Sequence, residues 1–107
     1  MERYTHLNDT TNVLINLESA KDRLRSCIKT FESIDLSFTR FKAIKHENGL
    51  VGCGMSHLAL LEKMIPYTLV LEDDVGVTDK FVKRLRIPEG TDAIYLGVSN
   101  HGYVWQL

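Results

Sequence analysis

Two periods of apolar residues run through the chain. Asn12-Val13-Leu14-Ile15-Asn16-Leu17 is a short β-branched run with polar flanks, and it predicts a buried strand. From Ala20 onward, Leu24, Cys27, Ile28 and Phe31 recur at helical spacing, while Lys21, Arg23, Arg25 and Lys29 lie mostly off that face. Ser19 is the expected N-cap, with Asp22 facing the first-turn amides. Phe38 to Ile44 partly alternates, as a half-buried strand near a sheet edge does. Gly49-Leu50-Val51-Gly52-Cys53-Gly54 is dense in glycine and predicts a tight turn or a close backbone approach. Met55, Leu58, Leu61 and Ile65 then follow helical spacing until Pro66 stops the helix.

Tyr67-Thr68-Leu69-Val70-Leu71 is the most apolar strand candidate and is expected at the sheet centre; it runs directly into Glu72-Asp73-Asp74. A third helix is expected from Asp79 to Leu85, capped by Thr78 or Asp79, and a fourth strand over Ala93 to Val98. Residues 1–11 read as a loose tail, and 12–107 as one domain. The order β-α-β-α-β-α-β predicts an α/β fold with a mostly parallel sheet of about four strands and alternating helices. Ligands of such sheets bind outside the carboxyl ends of the strands. Asn16-Leu17, Glu72-Asp73-Asp74 and Ser99-Asn100 all follow strand ends, so they are expected on one rim.

Composition narrows the classes. The 107 residues suit one core, and 44% hydrophobic with 25% charged residues is ordinary for a globular protein. With 13 basic and 14 acidic residues the formal charge is −1, which argues against a broad nucleic-acid-binding face. No apolar run is long enough for a membrane span, and the start lacks a signal-peptide core, so a cytoplasmic location is expected. Cys27 and Cys53 form no C-x-x-C pair and read as reduced residues filling small apolar space. The four histidines, 6, 46, 57 and 101, show no metal-motif spacing.

The acidic block carries the clearest chemistry. Three adjacent carboxylates at the end of an apolar strand repel one another unless a cation neutralises them. Their oxygens suit Mg²⁺ or Mn²⁺. Alternation along an extended chain puts Glu72 and Asp74 on one side and Asp73 on the other. A calcium EF-hand loop fits badly, because the spaced acids and central glycine are missing. An aspartyl-nucleophile phosphatase also fits badly, because Glu72 stands where the first Asp belongs.

With these segments in place, three blocks resemble glycosyltransferase family 25, which includes lipooligosaccharide and procollagen galactosyltransferases. They are Val13-Leu14-Ile15-Asn16-Leu17 with Ala20-Lys21-Asp22-Arg23, then Gly49 to Leu60 with Ser56-His57, then Tyr67 to Val75 with its Glu-Asp-Asp motif. The resemblance spans roughly residues 12–98 and implies the N-terminal portion of a GT-A-like fold, truncated relative to a family whose members continue past the fourth strand. It implies metal-assisted transfer of a hexose, often galactose, from a UDP-sugar to a hydroxyl on a glycan or protein acceptor.

On the same resemblance, Asp74 and Glu72 are the expected metal ligands for Mn²⁺ or Mg²⁺. Asn16, Leu17, Arg23, Ser56, His57, Glu72 and Asp73 are expected near the donor. Each has a plainer reading: Arg23 as a solvated helix residue, Asn16 as the closure of a strand-end turn, His57 as a hydrogen-bonded structural histidine, Met55 and Tyr67 as core. Asp92 and His101 are available as general bases, but no spacing selects either. A different class of function is an inactive sugar-nucleotide-binding or assembly module that associates through an open sheet edge.

Overall fold

A computed structural model describes residues 3–77, 81–94, 96, 98–100 and 103–105. Strand β1 (Arg3–His6) precedes β2 (Thr11–Asn16), helix α1 (Lys21–Ser33), β3 (Thr39–Lys42), helix α2 (Gly49–Leu61) and β4 (Thr68–Glu72). Then follow β5 (Arg84–Ile87), β6 (Val98–Asn100) and β7 (Tyr103–Trp105).

The centre is a parallel three-stranded sheet in the order β3-β2-β4. Leu14 pairs with Arg40 on one side and Leu71 on the other, and Ile15 with Phe41 and Glu72. The most apolar candidate, β4, is therefore outermost among the described strands, and β2 takes the centre. β2 is the better-buried strand because both of its edges are paired.

Strand alternation separates the two sheet faces. Leu14, Leu69 and Leu71 pack with Cys27 and Phe31 of α1, with Leu7 and Leu36 completing this core. Ile15 and Glu72, neighbours in register, point to the opposite face, where Glu72 meets α2. Phe31 and Phe38 add an edge-to-face contact with ring centroids 5.6 Å apart.

The ends of both helices follow from local chemistry. Ala20, not Ser19, occupies the N-cap of α1, and no side chain caps it. Its amide closes a turn onto the Leu17 carbonyl at 3.0 Å instead. The C-terminus of α1 is a Schellman motif: Leu36 N–H donates to Phe31 O at 2.9 Å and Asp35 N–H to Glu32 O at 3.1 Å. Asp35 takes the left-handed position with φ 53°.

The glycine block is not a turn but the first turns of α2, capped by Asn48, whose Oδ1 accepts from the amides of Leu50 and Val51. The expected close approach does exist, at Gly52 alone. A Cβ there would lie 2.8 Å from the Ile44 carbonyl oxygen, whereas at Gly49 and Gly54 it would meet nothing within 4 Å.

Three further expectations differ. Residues 3–7 are not a loose tail: β1 pairs antiparallel with β5, Leu7 N–H donates to Lys83 O at 2.8 Å, and Leu7 is buried. The third helix does not form over its described part, where Arg84–Ile87 is a strand that Tyr4, under the Arg84 guanidinium, helps to hold. Its expected caps, Thr78 and Asp79, lie outside the described residues. Ala93 and Ile94 are not strand, and Val98 instead begins β6, which pairs antiparallel with β7. Tyr95 and Gly97 lie outside the described residues. Among the described residues, no helix is long and apolar enough to cross a membrane.

Candidate functional site at the carboxyl rim

The crossover order places a topological switch between β2 and β4. The chain leaves β2 through α1 to β3 on one side, then passes through α2 to β4 on the other. In open α/β sheets this is where ligands bind, outside the carboxyl ends. The residues there are Asn16, at the end of β2, and Glu72-Asp73-Asp74, at and after the end of β4.

A polar network bridges the two strand ends. Asn16 is 1% exposed. Its Nδ2 donates to Asp73 Oδ2 at 2.8 Å and to the Ala20 carbonyl at 3.1 Å. Its Oδ1 accepts from Arg40 Nε at 3.0 Å. Arg40 Nη2 also donates to the Leu17 carbonyl at 3.1 Å. The other oxygen of Asp73 pairs with Arg23 Nη1 at 3.3 Å. The Asp73 backbone carbonyl accepts from the Cys27 thiol at 3.3 Å. Burial, with the nearby charges of Asp73 and Asp74, pushes the Cys27 thiol pKa up.

The opposite sheet face carries a second cluster. Glu72 Oε1 lies 3.0 Å from His57 Nε2 and accepts from the Cys53 thiol at 3.4 Å. Burial, followed by the bond and charge of Glu72, raises the Cys53 thiol pKa. Glu72 and Asp73 thus turn to opposite faces, as alternation requires. Asp74 is exposed, and no hydrogen bond among the described residues holds it.

The structure therefore joins Asn16, Arg23 and Asp73 in one network and His57 with Glu72 in another. Leu17 contributes its backbone carbonyl, and its side chain is exposed. Ser56 stands apart. It is fully buried, accepts from the Ile44 amide at 2.8 Å and donates to the Gly52 carbonyl at 2.9 Å, fixing α2 to the segment after β3. Ser99 and Asn100 lie in β6, outside the parallel sheet.

Two members of these networks went unread in the sequence. Arg40 occupies a polar position of a half-buried strand, and nothing in the local pattern marks it as reaching the rim. Cys53 stands four residues before His57, a spacing that shares a helix face only once the glycine block is known to be helical. A shallow cleft of about 460 Å³ lies at the other end of the sheet, lined by residues such as Asn8, Asn12 and Ser37, away from this chemistry.

Residues 47–96 match the model of glycosyltransferase family 25 (LPS biosynthesis protein). The match takes in the glycine block, Ser56-His57 and Glu72-Asp73-Asp74, and leaves the opening block of residues 12–23 outside. No curated protein and no solved structure matches the chain.

Proposed function

From the match of residues 47–96 to the model of glycosyltransferase family 25, we propose that the chain binds a UDP-sugar at the carboxyl rim and serves transfer of a hexose, galactose foremost, to an acceptor hydroxyl. The observation that carries this reading is the 2.8 Å bond from Asn16 to Asp73. It seats the family's acidic block against the end of β2, at the switch point. Arg23 and Arg40 bring two cations to the same rim, where a diphosphate needs them.

We assign Asp74 to a divalent cation, Mn²⁺ or Mg²⁺, with Glu72 as the second carboxylate. Both are exposed, and such ions use one or two carboxylates together with substrate phosphates. Asp73 does not join them in this assignment, since its two oxygens are taken by Asn16 and Arg23. The ion would supply Lewis-acid stabilisation of the departing diphosphate. The chain's own residues orient the rim: Asn16 holds Asp73, and Arg40 ties the Leu17 carbonyl to Asn16.

Calorimetric titration with UDP tests this reading. Binding is expected to require Mn²⁺ and to collapse in Asp74→Ala; equal affinity with and without Mn²⁺ would refute the metal assignment. A second reading, an assembly module without turnover, draws on the bare outer side of α2. There Leu50 is 84%, Leu58 64% and Leu61 58% exposed. UDP release from a UDP-sugar favours the transferase, and binding without release favours the module.

A further inference from the structure

We propose that Cys53, His57 and Glu72 form a Zn²⁺ site, separate in chemistry from the donor's cation and sharing only Glu72 with it. Three different ligating groups converge here. One sulfur, one imidazole nitrogen and one carboxylate oxygen all lie within 4.8 Å of one another. Around a tetrahedral Zn²⁺, ligands of these types sit roughly 3.4–3.6 Å apart, from bond lengths of roughly 2.0–2.3 Å. The observed separations of 3.4 Å from Cys53 to Glu72 and 3.0 Å from His57 to Glu72 need only small side-chain adjustments.

The framework supports the geometry. Cys53 and His57 are four residues apart on α2, so they present adjacent donors from one rigid helix face. Gly52 lets the adjacent face of α2 approach the segment after β3, because a Cβ there would meet the Ile44 carbonyl at 2.8 Å. The Ser56 hydroxyl bonds to the Ile44 amide from the adjoining turn of the helix. Glu72 comes from the end of β4, held in register by β2. Two ligands from a helix and one from a strand end are thus set by the fold, not by a mobile loop.

The donor set selects the ion. Sulfur and imidazole favour a borderline-soft ion such as Zn²⁺ over Mg²⁺ or Mn²⁺, which prefer oxygen. With three protein ligands, the fourth tetrahedral position is left for water or a ligand oxygen, the pattern of open rather than purely structural zinc sites. In the structure Glu72 links the other two groups, accepting from Cys53 and facing His57. Zn²⁺ would replace those two contacts with bonds to all three groups, and the Cys53 thiol proton would be released to solvent as the Zn–S bond forms.

Titration of the full chain with Zn²⁺ by calorimetry, and with Co²⁺ as a spectroscopic stand-in, tests the proposal. One bound ion and a thiolate-to-cobalt charge-transfer band are expected. Cys53→Ser should abolish the band and weaken Zn²⁺ by roughly tenfold or more, since even outer-shell partners act on that scale. Glu72→Gln should weaken it similarly. In the unmutated chain, Zn²⁺ should protect Cys53 from alkylation, a readout that needs no variant to fold. Asp74→Ala should leave Zn²⁺ binding unchanged while removing Mn²⁺-dependent UDP binding, so the two proposals fail separately. A Co²⁺ complex without the thiolate band, Zn²⁺ affinity unchanged in Cys53→Ser, or no protection of Cys53 would overturn the site.

Discussion

Asn16→Ala should be among the most damaging single substitutions at the rim. Asn16 is buried, and its side chain makes three hydrogen bonds, two of them to ionised groups. The bond to Asp73 is the costly one to lose. Asp73 has a side chain only 14% exposed, so its Oδ2 would lose its donor in a largely desolvated place. Hydrogen bonds to charged groups contribute about 1.5–3 kcal/mol, and neutral ones about 0.5–1.5 kcal/mol. The Arg40 and Ala20 contacts lie where water can partly replace Asn16, so we take the low end for both. The expected loss is about 3.5–5 kcal/mol, a large fraction of a small domain's stability.

Urea denaturation followed by circular dichroism should show this as a lower midpoint at unchanged slope. The melting temperature should fall by more than about 10 °C for a chain of this size. Arg23→Ala is the internal control. Its ion pair with Asp73 is 3.3 Å long and its side chain is 66% exposed, so solvent screening limits its cost to under about 1 kcal/mol. A double-mutant cycle between Asn16→Ala and Asp73→Ala should give a coupling of about 1–3 kcal/mol. An Asn16→Ala loss no larger than that of Arg23→Ala, or a coupling near zero, would refute the argument that Asn16 braces the switch point.

Three other perturbations separate local from tertiary causes. Gly52→Ala should destabilise by about 1–3 kcal/mol because its Cβ would meet a backbone oxygen at 2.8 Å, whereas Gly54→Ala, in open space, should stabilise α2 by up to about 1 kcal/mol, both read from urea midpoints. Asp35→Gly should raise the thermal midpoint by relieving a left-handed backbone worth about 1 kcal/mol, since the Schellman bonds and the Lys83 contact use only the Asp35 backbone. Cys27 has a folded pKa raised by burial, so the stability it contributes is present below the ordinary thiol range and is lost as pH rises through the raised value. Urea midpoints taken from neutral to alkaline pH should fall in the parent and fall less in Cys27→Ala, while alkylation at neutral pH should modify exposed Cys53 before buried Cys27.

The first half of the chain was legible because period and burial agree there. Val13, Leu14 and Ile15 form a short apolar, β-branched run between polar flanks, which suits a buried strand. Leu24, Cys27 and Phe31 make one helix face, and Pro66 bars a longer α2. Alternation alone also sent Glu72 and Asp73 to opposite faces. The later expectations failed where a short segment's state depends on what it pairs with. Arg84–Ile87 carries only two apolar residues and becomes a strand because β1 offers it an antiparallel ladder. The glycine block reads locally as a turn, yet it is helical because the Asn48 cap and the Gly52 contact with Ile44 hold it so.

The sequence by itself determined the strand-helix alternation from β2 to β4, the acidic block at a strand end, and the opposite facing of Glu72 and Asp73. Those depend on residue type and on periods of two and 3.6. Only the tertiary structure decided that β2 lies between β3 and β4, that Arg40 reaches Asn16, and that Cys53 joins His57 and Glu72. Strand order and contacts between distant elements are set by which faces must be buried together. No single segment carries that information.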